Sequence, residues 1–155
     1  MKHLSFAIIA CFFSLVLSAQ DIQTFQLIND TGMKALVSNY GARLMQLEAY
    51  NWNGRLEPVI KGYKHISDYK DNTMLGATMM SLDGKVSPAL ADKVWEVVSA
   101  DHQSVTFRYI ADSKEGEFDG KMNFSVTYTL SDQNALDVDY RMTSTAPTRY
   151  KLTNG

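Results

Sequence analysis

Large side chains recur at every second position over much of this chain, and a period of two restricts it to β-strands with one buried and one polar face. Val105, Phe107 and Tyr109 alternate with Ser104, Thr106 and Arg108. Phe124, Val126, Tyr128 and Leu130 alternate with Asn123, Ser125, Thr127 and Thr129. Leu136, Val138, Tyr140 and Met142 alternate with Asp137, Asp139, Arg141 and Thr143. The five residues Ser131-Asp132-Gln133-Asn134-Ala135 join the last two runs as a hairpin loop, so the three runs form a meander.

The earlier half follows the same grammar. Phe25 to Ile28 runs into the turn Asn29-Asp30-Thr31-Gly32, Lys34 to Asn39 makes a second strand, and Arg43 to Tyr50 a third that ends at the turn Asn51-Trp52-Asn53-Gly54. Val59-Ile60 and Val94 to Ser99 supply further strands, and His65 to Asp71 forms a helical turn at most. The Tyr150-Lys151-Leu152-Thr153-Asn154-Gly155 ending reads as a strand entering a turn. Nowhere is a 3.6-residue period sustained with capping signals. Short strands at this spacing predict an all-β fold, an antiparallel β-sandwich. Asp-Gly-Lys occurs twice, at Asp83-Gly84-Lys85 and Asp119-Gly120-Lys121, but the flanks differ, so these are two independent turns rather than a repeat.

The first nineteen residues stand apart. Lys2 and His3 precede an apolar run from Leu4 to Leu17, and Ser18-Ala19-Gln20 follows. This is the layout of a secretory signal peptide, too short for the roughly 20 apolar residues of a spanning helix. Residues 1-19 are expected to leave by cleavage after Ala19, with residues 20-155 the mature domain and its destination periplasmic or extracellular. Ile8-Ile9-Ala10-Cys11 loosely resembles a lipoprotein cleavage box. That competing reading is disfavoured because only ten residues precede Cys11.

Losing the leader removes the single cysteine, leaving neither disulfide nor thiolate chemistry. Seventeen acids against fifteen bases, with scattered lysines, give no footprint for nucleic acid. His65 and His102 sit among polar residues, read as surface histidines, and offer no metal-ligand spacing. No cofactor is expected.

Several blocks, in order, resemble the galactose mutarotase (aldose 1-epimerase) family. They are Asn39-Tyr40-Gly41-Ala42-Arg43-Leu44, Asn53-Gly54 with Val59-Ile60-Lys61-Gly62-Tyr63, and Tyr69 with Leu75-Gly76-Ala77. Asp119-Gly120, Val126 to Leu130, Leu136 to Tyr140, Pro147-Thr148 and Leu152-Thr153-Asn154 continue the set. The resemblance implies an incomplete galactose mutarotase-like supersandwich, an aldohexose as ligand and an isomerase ancestry in carbohydrate metabolism. It also implies residues that this chain does not match. The family's arginine pairs and first histidine have no counterpart between Thr78 and Val94, Gly155 stands where a histidine follows Asn154, and the glutamate and aspartate belong to a second half.

Catalytic residues are therefore assigned to none of the positions, and substrate-binding residues remain open. The acids offer no pair: Glu115 and Glu117 read as a solvated loop, Asp137 and Asp139 as the polar face of a strand, and Asp68, Asp71 and Asp83 as turn residues. For sugar binding without catalysis, Trp52, Trp95, Tyr40, Tyr63 and Tyr69 offer flat faces. Trp95 reads as core, and Trp52 is the better candidate for exposure. Met74, Met79 and Met80 read as adaptable apolar fillers. Unpaired sheet edges are expected to favour self-association.

Overall fold

The computed structural model describes residues 21–82, 85–115 and 118–155. The expected leader, Asp83 and Glu117 lie outside the described residues. Among the described residues, eleven antiparallel strands fall into three sheets. The first contains β1 (Thr24–Ile28), β2 (Lys34–Ser38), β3 (Arg43–Tyr50) and β4 (Leu56–Pro58) in that order. The second runs β10 (Leu136–Ser144), β9 (Lys121–Leu130), β8 (Ser104–Asp112), β7 (Glu96–Ala100). A small third sheet joins β11 (Lys151–Asn154) to β5 (Thr78–Leu82) and β6 (Lys85–Ser87).

The alternation seen in the sequence decides which faces meet. Leu27, Ala35 and Val37 from the first sheet share one core with Val105, Phe107, Met122, Phe124, Val126, Tyr128 and Leu130 from the second. Phe25 and Phe107 bring their rings to 5.8 Å across the layers. On the opposite face of the second sheet the polar partners pair: Thr106 lies opposite Thr127 with their hydroxyls 2.9 Å apart. Arg108 forks onto Glu96 at 2.7–2.9 Å. Hydrophobic-in, polar-out alternation is the antiparallel sandwich expected from the sequence.

One end of the sandwich is clasped by amides. Asn29, almost completely buried, donates to Ser131 O and Asn134 Oδ1, at 2.8 and 2.9 Å, while its Oδ1 accepts from Met33 N and Thr31 Oγ1. The β1–β2 turn is thereby fastened to the β9–β10 hairpin across more than a hundred residues of chain. This satisfies a buried polar group that would otherwise cost about 1–3 kcal/mol.

Two elements depart from expectation. No strand forms at Val59-Ile60; the strand lies just before them, at Leu56–Pro58, because Asn51 closes a tight turn: Asn51 N donates to Arg55 O, and Asn51 Oδ1 accepts from Asn53 N and Arg55 N. Pairing then resumes at once, Tyr50 opposite Leu56. Thr78 to Leu82, which carries no alternation, is a strand as well. Thr78, Met79 and Met80 are all buried, so both faces of β5 are covered and the period vanishes. The helical turn expected over His65 to Asp71 is a short 3₁₀ turn, Ile66–Lys70.

Candidate functional site

The block Asn39-Tyr40-Gly41-Ala42-Arg43 is the hub that joins the sheets. Asn39 Oδ1 accepts from Gln23 N, and its Nδ2 donates to Asp21 O and to Trp95 O. Gly41 and Ala42 are consecutive left-handed residues, φ 72° and 41°. For alanine that conformation is strained, and it is held in place by the Ala42 carbonyl, which accepts from Tyr128 Oη at 2.8 Å and Thr78 Oγ1 at 3.0 Å.

The reversed backbone turns Arg43 inward, where it is completely buried. Its guanidinium donates to four carbonyls: Tyr40 O (2.6 Å), Ala91 O (2.8 Å), Thr73 O (3.0 Å) and Leu75 O (3.3 Å). The rings of Tyr40 and Tyr69 lie 4.7 and 4.5 Å from its central carbon. Burial pulls the Arg43 pKa below the usual arginine value, opposed by the neighbouring tyrosines. Five fixed donors and a weakly hydrated plane suit arginine, not lysine, to such a site.

This corrects the reading of Tyr69 as a sugar platform. Its ring is fully buried against Arg43, and its hydroxyl accepts from Tyr63 N at 2.8 Å. Tyr40 is half-buried with the same guanidinium over its ring, and Tyr63 packs edge-on to Tyr69 at 5.0 Å. Trp95 is core, as expected, and Trp52 is 95 % exposed.

Beside the hub lies the Asn154 corner. Asn154 pairs with Thr78 across β11 and β5, its Nδ2 donates to Tyr128 Oη at 3.2 Å, and its Oδ1 accepts from the Tyr140 hydroxyl. Tyr128 in turn donates to Ala42 O, so one hydrogen-bonded chain runs Tyr140–Asn154–Tyr128–Ala42. Burial pushes the Tyr140 phenol up to about 12 and raises that of Tyr128 as well. Both phenols therefore stay neutral near pH 7 and act as fixed donors. Gly155 follows, its N–H donating to Ala77 O and its carbonyl accepting from Gly76 N. A Cβ there would lie 2.3 Å from Met74 O, so a histidine at this position would require the backbone at Met74 to move.

His65 and His102 are both exposed, at the start of the 3₁₀ turn and in the β7–β8 loop. Glu115 is exposed and accepts the Tyr109 hydroxyl. Asp137 and Asp139 are exposed on β10, and Asp68 and Asp71 flank or lie in the 3₁₀ turn. Among the described residues no group of three or more His, Cys, Asp or Glu side chains is arranged to hold a metal, and no helix is long and apolar enough to cross a membrane. A shallow depression of about 90 Å³, lined by Gln26, Lys34, Leu36, Gln46 and Glu48, lies on β1–β3 rather than at the Asn154 corner. It falls well short of the roughly 300–1,000 Å³ of ordinary ligand pockets.

Antiparallel sheets layered in this order, with the Asn39–Arg43 turn and the Asn154 corner at their junction, define a galactose mutarotase-like β-sandwich. The crystal structure of the GalM/aldose epimerase homologue from C. elegans superposes with a TM-score of 0.75 at 25% identity, covering 86% of this chain and 50% of that one. The galactose 1-epimerase from Lactobacillus acidophilus NCFM superposes at 0.65 with 18% identity, covering 88% and 52%. In sequence, the Aldose 1-epimerase family model matches residues 80–154. An aldose 1-epimerase of Escherichia coli K12 is 24% identical over 88% of this chain and 48% of its own length. The maltose epimerase of Levilactobacillus brevis is 22% identical over 88% and 49%. The chain resembles the aldose 1-epimerase family, whose model it matches over residues 80–154, and it spans about half the length of the curated relatives it matches.

Proposed function

We propose that this chain is an aldose 1-epimerase-like scaffold that does not by itself accelerate sugar mutarotation. Mutarotation needs one group to protonate the ring oxygen and another to take the anomeric proton, both converging on one pyranose. The observation that carries the reading is the state of the Asn154 corner. Its amide is engaged between Tyr128 and Tyr140, and burial holds those phenols protonated far above neutral pH. The described imidazoles, His65 and His102, lie on exposed turns and loops. Such a corner orients groups; it does not exchange protons at pH 7. Polarimetry with freshly dissolved α-glucose or α-galactose should show decay at the buffer rate, and a clear excess over buffer sinks the proposal.

A second reading, a non-catalytic carbohydrate-binding module, draws support from Trp52. Its indole stands almost fully in solvent on a turn braced by Asn51, whose Nδ2 also donates to Glu57. An exposed indole flanked by amides suits the C–H face of a pyranose. Because Trp95 is buried, sugar-dependent fluorescence changes should come from Trp52 and vanish in Trp52→Ala. An unchanged spectrum at high sugar concentration removes this reading.

A further inference from the structure

We propose that two copies of this chain pair edge to edge through β10, in one antiparallel register centred on Tyr140. β10 ends its sheet with nine residues, its pairing to β9 runs from Leu136 to Ser144 without a register shift, and it contains neither proline nor lysine. Of the other edges among the described residues, β1 and β11 are only five and four residues long, and three more are protected in ways that discourage pairing. β4 is three residues long and ends in Pro58, β7 is interrupted by a register shift between Val97 and Ser99, and β6 has three residues.

The apolar face also runs one strand further than the core that covers it. Phe124, Val126, Tyr128 and Leu130 on β9 are completely buried. Their direct neighbours on β10, Met142, Tyr140, Val138 and Leu136, are only half-buried. A second β10 alongside would extend that face and satisfy the free backbone groups, the β-augmentation mode of recognition.

The choice of a second copy rests on the charges. Opposite residues in an antiparallel pair point to the same face, so a register that sets Val138 against a residue of the polar face, such as Asp137 or Asp139, inverts the pattern and is excluded. Of the matched registers, centring on Asp139 opposes it to its own copy, centring on Arg141 opposes two arginines, centring on Val138 opposes Asp137 to Asp139, and centring on Met142 avoids like charges but pairs only Tyr140 to Ser144 of the nine-residue strand. Centring on Tyr140 places each Asp139 opposite the copy's Arg141, Val138 opposite Met142, and Asp137 opposite Thr143, with no like-charge pair. Asp139 and Arg141 are exposed and already 2.9 Å apart within one chain, so both are placed for this exchange. Backbone hydrogen bonds and apolar cover supply the affinity, and the charges select the register. The resulting two-fold makes a continuous sheet of eight strands, β7 to β10 followed by the copy's β10 to β7.

Sedimentation velocity of the purified chain at micromolar concentrations should show a dimer. Arg141→Asp leaves only acids among the charged groups of the edge, and should raise the dimer dissociation constant at least about tenfold with an unchanged circular dichroism spectrum. Asp137→Cys combined with Thr143→Cys should give a covalent dimer on mild oxidation, because directly opposed residues meet disulfide geometry. The Asp137→Cys chain alone should not. A wild-type monomer, as expected if a different segment of polypeptide covers β10, overturns the proposal. So does an Arg141→Asp chain that is folded and equally dimeric, or a dimer that the paired cysteines fail to cross-link.

Discussion

Arg43→Met should lose about 3–5 kcal/mol of folding stability, the scale for removing one partner from a buried charged network. The substitution keeps most of the side chain's volume and deletes every donor. Tyr40 O, Thr73 O, Leu75 O and Ala91 O then lose the guanidinium to which all four point, in a site with no exposure at Arg43. Each buried carbonyl left unpaired costs about 1–3 kcal/mol, so even partial relaxation leaves a large deficit. Arg43→Lys should fall between wild type and Arg43→Met, since a single ammonium cannot reach four carbonyls or lie flat between Tyr40 and Tyr69. Urea unfolding followed by circular dichroism measures all three chains. A loss of less than about 1 kcal/mol in Arg43→Met would show that the network is ornamental.

Gly41→Ala should destabilise by about 2–4 kcal/mol, and Gly54→Ala by only about 1–2 kcal/mol. The two glycines have nearly the same backbone, φ 72° and 71°. They differ in what a methyl group would meet. At Gly41 an added Cβ lies 2.4 Å from Ala91 O and 3.0 Å from the Arg43 guanidinium, whereas at Gly54 there is nothing within 4 Å. The left-handed conformation costs both variants alike, so the difference isolates the close approach of the Asn39–Arg43 turn to the Ala91 backbone. Equal losses in the two variants would mean that this approach relaxes without cost and that the hub is softer than its hydrogen bonds imply.

The meander β8–β9–β10 was legible because each of its strands buries one face only, so the period of two survives in the letters from Val105 to Met142. β5 was not, because Thr78, Met79 and Met80 are buried on both faces and leave no period to read. Asn51 placed the turn correctly, but the strand after it starts at Leu56 and runs into Pro58, which is tolerated there because β4 is an edge. At the site, Trp52 and Trp95 were separable by their neighbours: amides around the first, valines around the second. Tyr69 was not, since nothing local announces that a residue twenty-six positions earlier will bury its charge against that ring. Nothing in the letters around Arg43, at a strand start, marks it as buried. Its inward course is set by two consecutive left-handed residues, and the alanine among them gives no compositional warning. Asn154 was read as the end of the resembling block, but its tie to Tyr128 and Tyr140 depends on β11 pairing with β5, a non-local contact that periodicity does not carry.

The proposal that this scaffold moves no protons at the anomeric centre is tested most directly by the pH profile of mutarotation. Freshly dissolved α-glucose is followed by polarimetry from about pH 5 to about pH 9, the range in which imidazole and carboxylate catalysts change protonation. Burial pushes the Tyr140 phenol up to about 12 and raises that of Tyr128 as well, so neither changes state in that window. The rate with protein should then match buffer alone at every pH. A general acid and base acting together would add roughly 10²–10⁴-fold for each group and print a sigmoidal or bell-shaped excess. Such an excess, with an inflection inside the window, would contradict the account and place a competent acid–base pair on this chain.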